Sequence, residues 1–344
     1  MIRLNFRRGS AFASKKARAY LESINPEDIK KVAVIRHAAI GDFMNIRPFL
    51  INLKGFFPNA KVTISVLRNS MYGIPHDLID DIHIMDKNSL TNNAKKTTFF
   101  QRVKQAKELE SQDIIFDLTD SSMSLLLVFF STVKLKVGYS YRAIRRLFYD
   151  VATLRSDFVV EAESTQHMLN LLGSKTVSPL KYGFEKTYPK CDKKQIVYFA
   201  GASTRDKCWE NEKMTSLITL LSNKYPDYKH IVLQGINESE KFIDIYEKFE
   251  NINNVELQEV LAFEEVMQFL ANSRCVVCND TGIRNMAIAV ETPTIGIFFA
   301  TGAFRYWPRN SIHECVFNLH YTSPSIEDVY SSSIALLDRQ YKDK

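Results

Sequence analysis

The sequence lacks several features that define whole classes of protein. Its longest apolar run, Leu125–Phe130, is far shorter than the ~20 residues that span a bilayer. The first 24 residues carry scattered arginines and lysines but no apolar signal-peptide core. Hydrophobic residues make up 45% and charged residues 24% of the 344, which is an ordinary globular composition. We therefore expect a soluble, cytoplasmic protein that is neither disordered nor a coiled coil.

Cysteine and cofactor motifs are also scarce. Five cysteines do not make a disulfide scaffold in a chain of this length. Cys275 and Cys278 form one CxxC motif, but no second pair completes a zinc site. Because they lie in an apolar run typical of a buried strand, core packing is favoured over metal or redox chemistry. The glycine fingerprint of dinucleotide-binding enzymes is missing, and nothing resembles a DxD metal site, so no metal or other cofactor is expected.

Positive charge is concentrated at the N-terminus. The chain carries a formal charge of +6, and residues 1–31 alone hold eight Lys or Arg against three Asp or Glu. The nearly neutral remainder disfavours a nucleic-acid-binding protein. Residues 1–30 are therefore predicted to form a basic N-terminal arm. This arm is either a solvated leader or a segment that docks on an anionic membrane surface, where each basic residue contributes ~1 kcal/mol.

Short apolar strands alternate with helical stretches along the rest of the chain. The strands are apolar throughout rather than alternating, which indicates parallel sheets covered on both faces and a doubly wound α/β fold. The pattern breaks near 173–194, so two domains with a ligand held between them are expected. The predicted segments are an arm at 1–30, a first Rossmann-like domain at 31–175, a linker at 176–194, a second Rossmann-like domain at 195–325 and a C-terminal helix at 326–344.

Polar loops follow several of the predicted strands, where open α/β sheets place ligand-binding groups. In the first domain, Asp42 lies in the loop after the first strand of the alternating series and is either a helix cap or a general base. His37 in the same loop fits a structural histidine. In the second domain, one loop has small, hydroxyl and basic residues suited to a phosphate, and another carries an Asp-Thr-Gly motif before a helix. An ordinary polar loop and a helix cap are the competing interpretations.

Three segments in this order resemble glycosyltransferase family 9, the lipopolysaccharide heptosyltransferases. They are VAVIRHAAIGDFMNIRPFLINLKGFFPNAKVTI, ASTRDKCW and NDTGIRNMAIAVETPTIGIFFATGAFRYWP, and the second is similar to heptosyltransferase I in particular. The resemblance covers residues 31–340. It implies a GT-B fold, with two doubly wound Rossmann-like domains facing a central cleft. It also implies an inverting, metal-independent transfer of heptose from ADP-heptose, with the acceptor bound by the domain at 31–175 and the nucleotide sugar by the domain at 195–325.

The resemblance further implies roles for individual residues. Asp42 would be the catalytic base. The residues that would bind the donor are Ser203, Thr204, Lys207, Asp280, Thr281, Gly282 and Asn285. Asn285 departs from the pattern, because heptosyltransferase I commonly has a histidine there.

The tract 134–155 holds six basic residues and one acid. Arginine suits bidentate capture of carboxylate or phosphate, so this tract is interpreted as a binding site for an anionic Kdo–lipid A acceptor. A charged helix face is the competing interpretation. The arginines assigned to the acceptor are Arg68, Arg142, Arg145 and Arg146.

The leading hypothesis is therefore a heptosyltransferase of the lipopolysaccharide inner core. It would lie in the cytoplasm, peripheral on the inner face of the inner membrane, and dock there through the basic arm. One alternative is a family 9 enzyme that uses another sugar nucleotide or a protein acceptor. Another is a non-catalytic nucleotide-binding protein of the membrane surface. A nicotinamide-dependent oxidoreductase is a weaker alternative, because its glycine fingerprint is absent.

Overall fold

A computed structural model describes residues 2, 4, 11–86, 97–140, 143–191, 194–237, 240–249, 252–310 and 312–342. The chain divides into two compact units, Met1–Lys181 and Tyr182–Lys344. This boundary lies inside the predicted linker at 176–194. Each unit is built on its own sheet.

The first unit has a seven-stranded sheet in the order β1-β7-β6-β5-β2-β3-β4. All neighbouring strands are parallel except β1, which runs antiparallel to β7. Its strands are β1 (Ala11–Ala13), β2 (Lys31–Ile35), β3 (Lys61–Leu67), β4 (Asp81–Met85), β5 (Gln112–Asp117), β6 (Val133–Tyr139) and β7 (Val151–Thr153). Its helices are α1 (Lys15–Glu22), α2 (Ile40–Phe56), α3 (Phe99–Glu108), α4 (Ser122–Phe130) and α5 (Glu161–Leu171).

The strand order of this sheet positions a ligand crevice. From β2 the chain moves outward through β3 to β4 and then returns to β5 on the other side of β2. Strands β2 and β5 are therefore the topological switch point, and ligands of open α/β sheets bind beyond the carboxyl ends of such strands. Both strands are almost wholly buried, so burial of their continuous apolar runs holds the sheet centre in place. The loops after β2 and β5 are thus the expected binding loops.

The predicted N-terminal arm differs from what the structure shows for residues 11–30. Strand β1 adds to the sheet edge beside β7, and Ser14 caps α1 by accepting a hydrogen bond from the Ala17 backbone N–H at 3.0 Å. Leu21 is fully buried. The physical reason is that apolar side chains recur among the charges at helical spacing and pack on the unit. This stretch is part of the first unit, and residues 1, 3 and 5–10 lie outside the described residues.

The second unit has a six-stranded parallel sheet in the order β10-β9-β8-β11-β12-β13. The switch point here lies between β8 and β11, because the chain first builds outward to β10 and then continues on the other side of β8. The strands are β8 (Gln195–Phe199), β9 (Lys229–Leu233), β10 (Val255–Gln258), β11 (Cys275–Asn279), β12 (Thr294–Phe298) and β13 (His313–Phe317). The helices are α6 (Asn211–Lys224), α7 (Ile243–Tyr246), α8 (Phe263–Ala271), α9 (Gly282–Ala289) and α10 (Ile326–Lys342).

The predicted C-terminal helix is α10, which packs on α6 and on β13 within the second unit. Tyr225, which follows α6, donates a hydrogen bond from Oη to Oδ1 of Asp338 at 2.8 Å. Cys275 and Cys278 are free and buried in β11, and burial raises the pKa of each thiol to about 12. They are therefore unreactive core residues. None of the described helices is both long and apolar enough to cross a membrane.

Candidate functional site

Asp42 lies at the crevice of the first unit, in the first turn of α2. The N-cap residue of α2 is Ala39, and no side chain makes a capping hydrogen bond there. Asp42 is therefore not the cap residue of this helix. Its Oδ1 instead accepts a hydrogen bond from Nη2 of Arg36, the residue that follows β2. The Asp42 side chain is 31% exposed, and its Oδ2 has no hydrogen-bond partner among the described residues. One carboxylate oxygen is thus held in place while the other is available.

Arg36 belongs to a buried ion-pair network. Its Nη1 lies 3.0 Å from Oε1 of Glu161, the first residue of α5, and Nη2 of Arg155 lies 2.7 Å from the same oxygen. Burial alone would lower the pKa of Arg36, but the carboxylates of Asp42 and Glu161 outweigh that effect and raise it. Negative and positive side chains therefore alternate along this network, in the order Asp42, Arg36, Glu161, Arg155. Because each buried charge has an opposite neighbour, the network fixes where Arg36 holds Asp42.

His37, in the same loop, is a structural residue. Its Nε2 lies 3.1 Å from Oγ of Ser65, which in turn lies 3.0 Å from Nδ1 of His83. Burial, together with the neighbouring His83, lowers the pKa of His37 to about 3. The imidazole is therefore neutral near pH 7 and holds β2 to β3 rather than exchanging protons.

The predicted acceptor arginines have partners of their own. Arg68 follows β3, and its Nε lies 2.5 Å from Oδ1 of Asp86, which follows β4. Arg145 pairs with the carboxylate of Asp120, which lies in the loop after β5, and donates to the Asp120 backbone oxygen at 2.7 Å. Both pairs therefore lie at the carboxyl end of the sheet. Arg146 is exposed, and Arg142 lies outside the described residues.

The second unit brings two of the predicted donor-binding loops together. Lys207, in the loop after β8, places its Nζ 3.1 Å from Oδ2 of Asp280, the residue after β11. Oγ1 of Thr301, in the loop after β12, donates to the same Asp280 oxygen at 2.7 Å. Ser203 and Thr204 are exposed in the first of these loops. Hydroxyls, a lysine and a carboxylate thus converge at the switch point of this sheet.

The start of α9 completes this cluster. Thr281 is its N-cap and Gly282 its first residue, and the Thr281 side chain makes no capping hydrogen bond. Thr281 therefore leaves the first N–H groups of α9 uncapped by its side chain, and N–H groups at a helix start suit an anion. Asn285, one turn further along, is buried.

Asn279 connects the two loops and was not assigned a role from the sequence. It is fully buried; its Nδ2 donates to the backbone oxygen of Ala200 at 2.6 Å, and its Oδ1 accepts from the Trp209 backbone N–H at 3.1 Å. The indole of Trp209 in turn donates to the Pro324 backbone oxygen at 3.0 Å. Asn279 therefore clamps both ends of the loop that carries Ser203, Thr204 and Lys207.

Arg284 in α9 is a second residue whose role no sequence motif predicts. It is almost fully buried; its Nη2 lies 3.2 Å from Sγ of Cys315, and its guanidinium carbon lies 5.1 Å from the centre of the Phe298 ring. Its Nη1 also donates to the backbone oxygen of Tyr306. Arg284 thus anchors the loop after β12 to α9. Among the described residues, no group of three or more His, Cys, Asp or Glu side chains could hold a metal ion.

A two-unit α/β protein with a phosphate-type cluster in one unit and a held carboxylate in the other fits a sugar-nucleotide transferase. The model of glycosyltransferase family 9 (heptosyltransferase) matches residues 102–333. The chain belongs to this family and is a glycosyltransferase, as predicted.

Individual relatives support the family and the fold. Lipopolysaccharide heptosyltransferase 3 of Escherichia coli is 23% identical over 307 residues, which cover 79% of this chain and 85% of the relative. A structure of the E. coli heptosyltransferase WaaC with ADP has a TM-score of 0.70 at 17% identity, covering 90% of this chain and 99% of that one. A family 9 glycosyltransferase from Veillonella parvula DSM 2008 has a TM-score of 0.71 at 17% identity, covering 92% and 99%. The predicted GT-B fold of two Rossmann-like domains is thereby confirmed.

Proposed function

We propose that this enzyme transfers heptose from ADP-heptose to the Kdo–lipid A inner core of lipopolysaccharide. Family membership and the name of the E. coli relative support the sugar and the class of acceptor, and WaaC with ADP supports the nucleotide. The observation that carries the proposal is the convergence of Lys207, Asp280 and the start of α9 at one switch point. A nucleoside diphosphate is the ligand class that such a cluster fits.

The second unit would bind the donor. Ser203 and Thr204 supply hydroxyl donors to the diphosphate, and Lys207 supplies a positive charge close to Asp280. As the bond from the sugar to the diphosphate breaks, negative charge develops on the leaving ADP. Lys207 and the N-terminus of α9 stabilise that charge, so the chemistry does not require a metal. Thr281, Gly282 and Asn285 are the remaining donor-binding residues of this proposal.

Asp42 in the first unit would be the base. The acceptor hydroxyl attacks the anomeric carbon from the face opposite the leaving ADP, which inverts the configuration there. As the new C–O bond forms, Oδ2 of Asp42 takes the hydroxyl proton. Arg36 holds Oδ1, so the free oxygen keeps a defined direction. A fixed base lowers the entropic part of the barrier.

Arginines of the first unit would bind the anionic groups of the acceptor. Arg68 and Arg145 lie at the carboxyl end of the sheet, and Arg146 is exposed nearby in sequence. Together with Arg142, they provide guanidinium groups that suit carboxylates and phosphates. If Arg145→Ala and Arg146→Ala leave the acceptor KM unchanged, this assignment is wrong. We further place the enzyme in the cytoplasm, peripheral on the inner membrane, with the basic residues of 1–30 as candidates for contact with anionic headgroups.

Mass spectrometry of Kdo–lipid A incubated with ADP-heptose tests the proposal. The wild-type protein should add one heptose, whereas Asp42→Asn should add none and still bind ADP with nearly unchanged affinity in calorimetry. Lys207→Ala should weaken ADP binding about tenfold or more, because a charge-assisted contact is lost. Asp227→Asn and Lys224→Ala change exposed residues and serve as matched controls.

The outcomes separate the parts of the proposal. Equal turnover by Asp42→Asn would remove Asp42 as the base. Tight ADP binding without transfer would retain the nucleotide site but assign another sugar or another acceptor, including a protein. Absence of ADP binding by the wild-type protein would refute the nucleotide assignment itself.

A further inference from the structure

One face of the first unit exposes large apolar side chains that are close in space. It is formed by α3, α4 and the 3-10 helix Ala143–Phe148. Leu147 is 83% exposed and Phe100 is 81% exposed. The exposed apolar residues of this face, which we call the apolar face, are Phe99, Phe100, Phe129, Ile144 and Leu147. Exposed side chains of this size in one region mark an interaction site rather than ordinary surface.

Ring contacts make this face continuous. The Phe99 ring lies 6.3 Å from Phe130, Phe130 lies 4.9 Å from Phe129, and Phe129 lies 6.1 Å from Phe148 (distances between ring centroids). Phe130 and Phe148 also pack against the buried core beneath. The exposed rings are therefore held in place by rings that pack on the core. Binding through them would not require a loose segment to become ordered.

Positive charge accompanies the apolar face. Helix α3 carries Arg102, Lys104 and Lys107 against one acid, Glu108. The 3-10 helix adds Arg146, which is exposed, and Arg145, which is paired with Asp120. Helix α4 carries no charged residue. The surface thus combines aromatic and aliphatic side chains with a surplus of cations.

We propose that the apolar face docks the enzyme on an anionic lipid bilayer, with its rings among the acyl chains and its lysines and arginines at the headgroups. This combination of side chains is what interfacial membrane-binding helices use. A second copy fits less well, because a two-fold interface would bring the cationic residues of both copies together. The inference rests on the peripheral location proposed above and on neither the donor sugar nor the acceptor, and it places docking outside residues 1–30.

Vesicle co-sedimentation tests the proposal with the full chain. Wild-type protein should bind vesicles of phosphatidylglycerol and phosphatidylcholine (1:1) more strongly than vesicles of phosphatidylcholine alone, and salt should weaken the binding. Phe100→Ser/Leu147→Ser should reduce the partition coefficient about tenfold or more, because two exposed apolar side chains are lost. Lys104→Gln/Lys107→Gln should reduce binding to the vesicles that contain phosphatidylglycerol and leave binding to pure phosphatidylcholine vesicles unchanged. Val177→Ser/Leu319→Ser changes equally exposed residues outside this face and is the matched control.

A second measurement reports insertion directly. The two tryptophans of the chain, Trp209 and Trp307, lie in the second unit. Phe100→Trp adds a reporter whose emission should shift to the blue on anionic vesicles and be quenched by brominated acyl chains.

Unchanged partitioning of Phe100→Ser/Leu147→Ser together with an unshifted Phe100→Trp spectrum would overturn the proposal. So would a wild-type dimer in sedimentation velocity that Phe100→Ser/Leu147→Ser converts to a monomer, because the face would then bind a second copy. Sugar transfer to a soluble, delipidated acceptor should be unchanged in these variants, so failure of docking and failure of the proposed activity remain distinguishable.

Discussion

Replacing Glu161 by glutamine tests the ion-pair network behind the candidate base. Oε1 of Glu161 receives both Nη1 of Arg36, at 3.0 Å, and Nη2 of Arg155, at 2.7 Å. Only 2% of the Glu161 side chain and 3% of the Arg36 side chain are exposed, so water does not replace the lost charge. Glutamine keeps the shape and one acceptor oxygen. The variant thus removes one negative charge and little packing.

The expected cost follows from the charges that remain. Removing one partner of a buried ion pair typically costs ~3–5 kcal/mol, because the other charge stays buried without compensation. Here Arg36 keeps Asp42, and Arg155 is partly exposed, so we expect the lower end, about 3 kcal/mol. Without the Glu161 charge, Arg36 should reorient toward Asp42, the one carboxylate left to it in the network, and shift this candidate base from its position. The value of kcat should therefore fall while ADP affinity is retained.

Urea unfolding with a double-mutant cycle measures this effect. Arg155→Met alone should destabilise the protein, but in combination with Glu161→Gln it restores the charge balance. The two changes should therefore cost less together than their sum by about 1–3 kcal/mol. Glu163→Gln is the matched control, because Glu163 is exposed in the same first turn of α5. A Glu161→Gln variant as stable as the Glu163→Gln control, with no coupling to Arg155, would refute the argument.

Three further predictions follow from individual contacts. Asn279→Ala leaves two buried backbone groups without partners, so urea unfolding should show a loss of stability of about 2–4 kcal/mol. Calorimetry should also show weaker ADP binding. ADP affinity equal to that of the wild type would show that the loop does not need this clamp. His37 has a folded pKa of about 3 against an ordinary 6.5, so its contribution is present above pH 6.5 and is lost as the pH falls below it. His37 alone should account for about 1–2 kcal/mol of the stability lost from pH 7 to pH 5, so His37→Gln should reduce that slope; an unchanged slope would assign it to other groups. Asp86→Asn should release Arg68 and lower the acceptor KM about two- to fivefold, whereas Arg68→Gln should raise the acceptor KM. If both variants shift the KM in the same direction, Arg68 does not bind the acceptor.

Much of the fold could be predicted because the central strands are continuous apolar runs. The apolar runs predict strands at 61–67 and 195–200, and helical spacing predicts a helix at 211–224; β3, β8 and α6 follow these limits to within one residue. Strands β1, β7 and β13 were missed. The first two have three residues each, and β13 mixes polar with apolar positions, so none has a local pattern that distinguishes it from a loop. Tertiary pairing at the sheet edges forms these strands.

The convergence of Lys207 and Asp280, the candidate donor cluster, could be predicted from the topology of the sheet. Lys207 and Asp280 follow β8 and β11, and parallel neighbouring strands bring their carboxyl ends together. Glu161 could not be predicted, because 125 residues separate it from Arg36 and its position at the start of α5 has no motif. Asn279 stood inside a recognised motif, but its role depends on backbone groups 70 and 79 residues away.

The arginines predicted to bind the acceptor already have carboxylate partners, so their number overestimates the positive charge that a ligand can use. Composition counts the cations of a tract, but the free energy available to a ligand depends on what those cations already contact. The hydrogen bond from Arg68 lowers the pKa of Asp86, so this pair is most stable with both groups charged. Arg145 forms an ion pair with Asp120. An anionic acceptor that binds at these two arginines, as proposed, would exchange one anionic partner for another, and its binding energy would be the difference between two similar contacts. Such an exchange favours selectivity for the geometry of the acceptor over tight binding.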